Sequence, residues 1–219
     1  MATLASFTTI DSGIPFFVFN THYDERGLQA RTESSKLVIE HVNELVAKSS
    51  TTSSPPLIFL VGDLNSPDSE DGYRALTGWR YVSDQAKPIS YQSHVGGKVT
   101  FLDARHELHT RVAGVNAARL LGGRYGDWLA TFTGFGENDH RNVIDVVLIA
   151  DTGALAAVHR GRNARKEGAE QQTMHSATQT QWIVSRYGVI PNRFEGRFLV
   201  SDHRMVVATV RQSIMGMPE

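Results

Sequence analysis

Polar side chains that could carry acid–base or metal chemistry stand at four places, each at the end of an apolar run or inside one. These places are Asn20-Thr21-His22-Tyr23-Asp24, Gly62-Asp63-Leu64-Asn65, Asp145, and Ser201-Asp202-His203. A buried sheet delivers the side chains at its strand ends to one shared surface, so clusters that are distant in sequence can meet there. Spacing alone leaves open whether these four do.

Asp63 and Asn65 together offer a carboxylate and an amide. In extended backbone, residues two apart point to the same side, so the pair could hold one substrate water. The alternative is a turn, because Asp and Asn side chains commonly bond to nearby backbone after a strand. The segment 201–203 likewise offers a hydroxyl, an acid and a proton carrier. The alternative is that these residues form a helix cap or a surface turn. His22, taken alone, is typical of a core or rim histidine.

Asp145 is the most informative single residue, because apolar residues surround it over positions 143–149. An unpaired carboxylate inside a buried strand is costly, so the residue needs a cation or an imidazole as its partner. His203 is an available partner, and an Asp that accepts from its ring would fix the tautomer and stabilise the imidazolium. A salt bridge to an Arg that lines the core is the alternative.

Composition excludes several kinds of function. The 219 residues carry 22 Lys and Arg against 23 Asp and Glu, so no overall field draws the chain to nucleic acid or anionic lipid. The absence of Cys excludes disulfides, thiolate nucleophiles and Cys-ligated zinc, which leaves metal sites with oxygen or His ligands.

No run approaches the about 18 apolar residues of a membrane span, and residues 1–19 lack signal-peptide features. Localisation therefore stays undecided, with the cytoplasm as the default.

The elements that must position these residues alternate between strands and helices. The patterns predict a hairpin over 2–19 with its turn at 11–13, helices over 29–49 and 69–77, and strands over 57–61, 142–150, 182–189 and 204–210. They also predict a cap for the second helix from Ser66 or Asp68, helices over 101–111 and 116–121, and a long loop over 159–180. This order indicates α/β architecture.

Five motifs in this order resemble the endonuclease/exonuclease/phosphatase superfamily, which includes DNase I, apurinic endonucleases and sphingomyelinases. They are the segments 20–24, 62–65, Thr131-Phe132-Thr133-Gly134-Phe135, Ile144-Asp145 and Ser201-Asp202-His203-Arg204. The resemblance runs from about Ala2 to Arg211. It implies a DNase I-like four-layer α/β sandwich and a single domain over residues 1–219.

The same resemblance implies the catalytic roles. Asp63 would polarise the attacking water, and Asn65 would position that water or the phosphate. His203, oriented by Asp145, would stabilise the transition state or move a proton. His22 would bind the phosphoryl oxygens as a substrate contact. The implied reaction is the hydrolysis of a phosphodiester or a phosphomonoester by activated water.

A divalent ion belongs to this implied chemistry, with Asp202 and Asp63 as its ligands and Mg²⁺ or Mn²⁺ as the ion that oxygen donors suit. The family's first strand with an Asn, and a later strand ending in Gln-x-Glu, do not precede Asn20. The sequence therefore resembles the C-terminal part of the fold, without the Glu that is the family's principal ligand. The second hypothesis is accordingly a truncated, catalytically inactive fold remnant or interaction module.

Implied substrates are a phosphorylated small molecule, a lipid headgroup or nucleic acid. The basic run over 159–166 could steer such a substrate, although a solvated loop is the simpler interpretation because no aromatic residues interleave with the charges. His106 and His109 have a spacing that suits a shared helix face, but no third ligand is evident. Val143 stands where relatives often carry a basic residue. Sheet surface left uncovered would favour self-association.

Overall fold

Strands and helices alternate along the chain as the sequence predicts. The computed structural model describes residues 1–49, 55–78, 80, 99–107, 130–135, 142–154, 180–190 and 199–214. In chain order the elements are β1 (Ala2–Thr8), β2 (Pro15–His22), α1 (Leu28–Ser49), β3 (Leu57–Asp63), α2 (Asp71–Thr77), β4 (Phe101–Asp103), β5 (Asp145–Ala150), β6 (Thr180–Ile190) and β7 (Met205–Ile214). None of the helices in these ranges is long and apolar enough to cross a membrane.

Five strands form one sheet in the order β1-β2-β3-β5-β4, and β6 and β7 form a second, antiparallel pair. β2 and β3 are parallel and are joined through α1, because a parallel pair needs a crossover connection. β5 runs antiparallel to β3. The last residues of β2 and β3 and the first residue of β5 therefore lie side by side at one end of the sheet.

Both faces of the five-stranded sheet bury apolar side chains, and alternation along β3 shows how. Ile58 and Leu60 pack in a core with residues of α1 and α2, such as Val42 and Leu76. Leu57 and Phe59 point the other way, into a core that includes residues of β6 and β7. An apolar run without polar alternation suits a strand that is covered on both faces. The predicted α/β class is confirmed, and the described elements supply a helix layer and two sheets.

β1 is one of the two outer strands of this sheet, and it pairs antiparallel with β2 as the predicted hairpin requires. Phe7 lies opposite Phe16, and their rings stack with centroids 5.3 Å apart. Leu4 and Phe7 are nevertheless 45% and 48% exposed. The apolar surface that the sequence predicts to be uncovered therefore lies, in the described ranges, partly on β1.

The predicted helix over 101–111 is wrong for the residues that the structure describes there. Residues 101–103 form β4, which pairs with β5, and Phe101 and Leu102 are buried on opposite faces of the sheet. The strand ends at Asp103, whose carboxylate accepts hydrogen bonds from the Tyr73 hydroxyl at 2.6 Å and the Arg105 backbone N–H at 2.8 Å. Residues 108–111, the predicted helix over 116–121 and residues 159–179 of the predicted loop over 159–180 lie outside the described residues, while Thr180 begins β6.

The start of α2 also differs from prediction. Glu70 is the N-cap and makes no side-chain capping bond, so neither Ser66 nor Asp68 occupies that position. The Ser66 hydroxyl instead accepts a hydrogen bond from the backbone N–H of Tyr73 at 3.1 Å. A first-turn donor of the helix is thereby satisfied from outside the helix, which is the same physical need that a cap serves.

Tyr23 offers a test of the core between β2 and α1. Burial raises the pKa of its hydroxyl to about 12, although the nearby Ser35 hydroxyl opposes the shift. The unfolded chain ionises its tyrosines near pH 10, so it loses protons before the folded chain does. We expect the free energy of unfolding to fall as the pH rises above about 10, and to fall less in a Tyr23→Phe variant. Urea unfolding of both proteins at neutral and alkaline pH measures this, and an equal loss in both would contradict it.

Candidate functional site

All four predicted clusters contribute a residue at the end of the sheet where β2 and β3 finish and β5 begins. Asp63 is the last residue of β3 and lies opposite Asp145, the first residue of β5. His203 precedes β7, and one ligand atom from each of Asp63, Asp145 and His203 lies within 4.8 Å of the others. His22, the last residue of β2, lies opposite Asp63 in the parallel register. The topology thus assembles residues that are far apart in sequence, since even Asp145 and His203 are separated by 58 positions.

The predicted pairing of Asp145 with His203 is present. His203 Nδ1 lies 2.9 Å from Asp145 Oδ2, and both side chains are partly buried. Asp145 stands at the beginning of its strand and not in its middle, so the carboxylate reaches the sheet edge. Burial alone would lower the pKa of His203, but the hydrogen bond to Asp145 and the charges of Asp145, Asp63 and Asp202 outweigh it and raise that pKa. The arrangement favours a proton on Nδ1 and stabilises an imidazolium.

The Asp63 carboxylate lies between two imidazoles. Its Oδ2 is 3.5 Å from His22 Nε2 and 3.8 Å from His203 Nε2, and its Oδ1 accepts a hydrogen bond from the backbone N–H of Asn65 at 2.7 Å. Burial raises the pKa of Asp63, the Asn65 bond partly reverses this, and the charge of Asp145 raises it further. The site therefore favours a cation or a proton beside this carboxylate.

Asn65 does not extend in line with Asp63, and the expectation of a shared extended side is wrong. Its backbone has φ 46°, in the left-handed region, because the Asp63 carboxylate turns the chain through its bond to the Asn65 N–H. The Asn65 side-chain nitrogen donates to the Tyr23 carbonyl at 3.0 Å. The turn that the sequence left as an alternative is therefore formed, and it links the ends of β2 and β3.

This conformation makes Asn65 testable by a pair of substitutions. Asn65→Ala and Asn65→Gly both remove the bond to Tyr23, but only the alanine variant keeps a Cβ in the left-handed region. We expect the alanine variant to be the less stable by about 1–2 kcal/mol. Chemical denaturation of the two variants measures the difference, and equal stability would mean that the left-handed backbone is not retained without the asparagine.

His22 and Asp202 stand at the margin of this site. The His22 side chain is 73% exposed, as suits a group that would meet a ligand from solvent. Asp202 contributes charge to His203, yet the three-membered group of potential ligands in the described chain does not include it. The Ser201 hydroxyl accepts a hydrogen bond from the His203 backbone N–H at 3.0 Å, so the turn that the sequence left as an alternative is formed in this segment. His106 lies in the turn that follows β4, while His109 and the basic run over 159–166 lie outside the described ranges.

Two residues matter to the site although sequence reasoning gave them no role. Gly62 has φ 128°, and a Cβ there would stand 1.9 Å from the Thr21 carbonyl oxygen. Thr131 is fully buried, and its hydroxyl accepts from the backbone N–H groups of Ile144 and Asp145, each at 3.0 Å. Two features of the sequence could have indicated these residues. Gly62 directly precedes the candidate carboxylate Asp63, and Thr131 belongs to a motif of the resemblance to which no role was attached.

The similarity of this chain to known proteins lies in its fold. No protein-family model matches the sequence, and no curated protein matches it. Among solved structures, the mannosyl-6-phosphatase of Bacteroides thetaiotaomicron matches over 96% of this chain and 56% of its own, with 20% identity and a TM-score of 0.57. The endonuclease/exonuclease/phosphatase from Bacteroides vulgatus matches over 97% and 55%, also with 20% identity and a TM-score of 0.57. This chain has the endonuclease/exonuclease/phosphatase fold.

The human Nocturnin catalytic domain with bound sulfate anion has the same fold at 11% identity and a TM-score of 0.50, over 97% of this chain and 53% of its own. The chain thus spans little more than half the length of these structures. The predicted DNase I-like α/β fold is confirmed. In this endonuclease/exonuclease/phosphatase fold, the site described above lies where β2, β3 and β5 meet at one end of the five-stranded sheet.

Proposed function

We propose that this chain hydrolyses a phosphoester bond, in a monoester or a diester, by attack of water, with a divalent ion as cofactor. The observation that carries the proposal is the arrangement of His203 between two carboxylates, with Nδ1 at 2.9 Å from Asp145 and Nε2 at 3.8 Å from Asp63. An oriented imidazole beside a carboxylate of raised pKa provides a cation and a base within one site.

Each side chain of the site has a separate proposed role in the hydrolysis. Asp63 would accept the proton of the attacking water, for which its raised pKa makes it the stronger base. The His203 imidazolium, held by Asp145, would face the negative charge that develops on the phosphoryl oxygens or return a proton. His22 would contact those oxygens from the exposed rim. Asn65, whose amide nitrogen holds Tyr23, would orient the water or the phosphate through its amide oxygen.

Mg²⁺ or Mn²⁺ is the proposed cofactor. The donor atoms fit a hard cation, because carboxylate oxygens are ligands that such ions prefer. Asp63 and Asp145 lie opposite one another in register, and the repulsion between their negative charges would be relieved by a cation. Asp63 would hold the ion. Asp202, one residue before His203, is the second proposed ligand, and the charge of Asp145 opposite Asp63 would add to the attraction. The ion would supply positive charge to the phosphoryl group and lower the pKa of a bound water.

A small phosphorylated molecule is the proposed substrate class, ahead of a lipid headgroup or nucleic acid. The net charge of −1 gives no general attraction to polyanions, which a nuclease for duplex DNA would use. One protein of the same fold is named as a mannosyl-6-phosphatase, and another holds a sulfate anion. Phosphate and sulfate are both compact, tetrahedral oxyanions.

The proposal is tested with purified protein and three substrates: p-nitrophenyl phosphate, bis(p-nitrophenyl) phosphate and mannose 6-phosphate. Each is assayed with Mg²⁺, with Mn²⁺ and with a chelator. We expect metal-dependent hydrolysis of at least one substrate, and a loss of about a hundredfold or more in Asp63→Asn. Asp71→Asn is the matched control, since that side chain is exposed on α2. Equal rates in wild type and Asp63→Asn would overturn the proposal and leave an inactive or interaction domain.

Self-association through β1 remains a prediction that accompanies this function. Leu4 and Phe7 are nearly half exposed on an outer strand, and no charged residue occurs within positions 1–10. Uncharged outer strands favour pairing with another chain. Light scattering of wild type and a Leu4→Lys variant measures the molecular mass, and a monomeric wild type would contradict the prediction.

A further inference from the structure

The segment 130–133 lies between the two stretches of chain that carry Asp145 and His203. On one side, the backbone N–H groups of Thr131 and Phe132 both donate to the Asn142 carbonyl at 3.0 Å. On the other side, the Thr131 carbonyl accepts from the Arg204 N–H at 2.6 Å. The Thr133 N–H donates to the Asp202 carbonyl at 2.8 Å. This segment therefore joins both catalytic stretches through the backbone.

Thr131 adds a side-chain contact that reaches Asp145 itself. Its hydroxyl oxygen accepts from the N–H groups of Ile144 and Asp145, each at 3.0 Å, and the side chain is fully buried. A hydroxyl oxygen has two lone pairs, so one threonine can satisfy both donors. These two bonds fix the backbone of Asp145, the first residue of β5. That backbone position allows the Asp145 carboxylate to reach His203.

Phe132 restricts the other member of the pair. Its ring packs against the His203 ring with centroids 5.0 Å apart and planes at 54°. Phe132 and His203 also form an isolated β-bridge. The imidazole is thus held by packing from this segment, while the Asp145 acceptor is held by the Thr131 hydroxyl. Two neighbouring residues of one segment control both partners of the 2.9 Å bond.

We propose that Thr131 is a positioning residue, whose hydroxyl sets the Asp145 carboxylate against His203 Nδ1 and so fixes the tautomer of the imidazole. Thr131 acts through Asp145 and is not itself catalytic. The kinetic consequence rests on the proposed function, whereas the effect on the tautomer does not. A small shift of Asp145 lengthens the bond to Nδ1, and hydrogen bonds weaken steeply with distance and angle.

The test compares Thr131→Val, which removes the hydroxyl at nearly constant volume, with Thr131→Ser, which keeps it. Thr77→Val is the matched control, because Thr77 is equally buried and its hydroxyl bonds within α2 to the Tyr73 carbonyl. Ring ¹⁵N chemical shifts at alkaline pH report the neutral tautomer, and a His203→Ala spectrum identifies this residue among the nine histidines.

We expect the Nδ1–H tautomer of His203 in wild type, Thr131→Ser and Thr77→Val, and a shift toward Nε2–H in Thr131→Val. We also expect kcat to fall about ten- to a hundredfold in Thr131→Val with KM little changed, and to recover in Thr131→Ser. If Thr131→Val does not fold, Thr131→Ala provides the same readout with less crowding. A wild-type tautomer in the folded hydroxyl-free variant, or a serine variant that matches valine, would overturn the proposal. An inactive wild type would count against the proposed function alone, because the tautomer still decides this inference.

Discussion

Replacing Gly62 by alanine is expected to destabilise the fold by about 4 kcal/mol or more, which lowers the melting temperature by about 10 °C. A Cβ at this position would stand 1.9 Å from the Thr21 carbonyl oxygen, a backbone atom of the paired strand that cannot rotate away. Gly62 also has φ 128°, which L side chains rarely adopt. The alanine therefore pushes β2 away from β3 beside His22 and Asp63.

Gly13→Ala is the control that separates backbone strain from collision. Gly13 has φ 64° in the β1–β2 turn, but nothing lies within 4 Å of its added Cβ. We expect a loss of only about 1–2 kcal/mol there. Guanidinium unfolding of both variants measures the two losses. If Gly62→Ala cost no more than Gly13→Ala, the close approach of β2 to β3 would be incorrect.

The second large effect concerns catalysis. Asp145→Asn should lower kcat about 10³- to 10⁴-fold, the size of loss seen when a carboxylate that orients a catalytic histidine becomes an amide. The amide is nearly isosteric, but it removes the charge that raises the pKa of His203 and can donate where the carboxylate accepts. The backbone N–H of Asp145 keeps its bond to Thr131, so we expect the fold to persist. Steady-state kinetics with a thermal melt of the same sample measures both outcomes.

Asp24→Asn is the matched control for this substitution. Asp24 belongs to the sequence cluster 20–24, but its Oδ1 accepts from the backbone N–H groups of Arg26 and Gly27, each at 2.7 Å. An asparagine oxygen can accept the same bonds. We expect activity close to wild type in this variant. A comparable loss in both variants would indicate that Asp145 has no special part in the reaction.

Local patterns predicted the elements that bury a continuous apolar face. The hairpin, α1, β3 and β5 were predicted because hydrophobic spacing over several residues reports the period of the backbone. For Asp145, a carboxylate among apolar neighbours requires a partner, which left His203 and an Arg as alternatives. The resemblance to the family implied His203, and the structure shows that pair.

β4 could not be predicted in this way because its conformation depends on a distant strand. Its three residues pair with β5, with Leu102 opposite Ile149, and this pairing decides between helix and strand. A segment so short carries too little periodicity to distinguish the two. The tertiary contact overrides the local preference.

The shape of the site was also less predictable than its members. The turn at Asn65 depends on a bond from its own N–H to the Asp63 carboxylate, which no spacing rule specifies. The role of Thr131 depends on which backbone donors lie near its hydroxyl after the sheet has formed. Residue types indicate which side chains belong to the site. Hydrogen-bond partners in distant segments are identified only from the three-dimensional structure.

The pairing of Asp63 opposite Asp145 has a consequence for the folding equilibrium of the whole chain. Like charges directly opposite on neighbouring strands are destabilising, and here each carboxylate belongs to a strand of the main sheet. In the unfolded chain the two groups are far apart and repel little. Anything that binds between them only in the folded state therefore stabilises that state by mass action. The difference in thermal stabilisation by a divalent cation between wild type and Asp63→Asn therefore measures cation binding at this end of the sheet without a substrate.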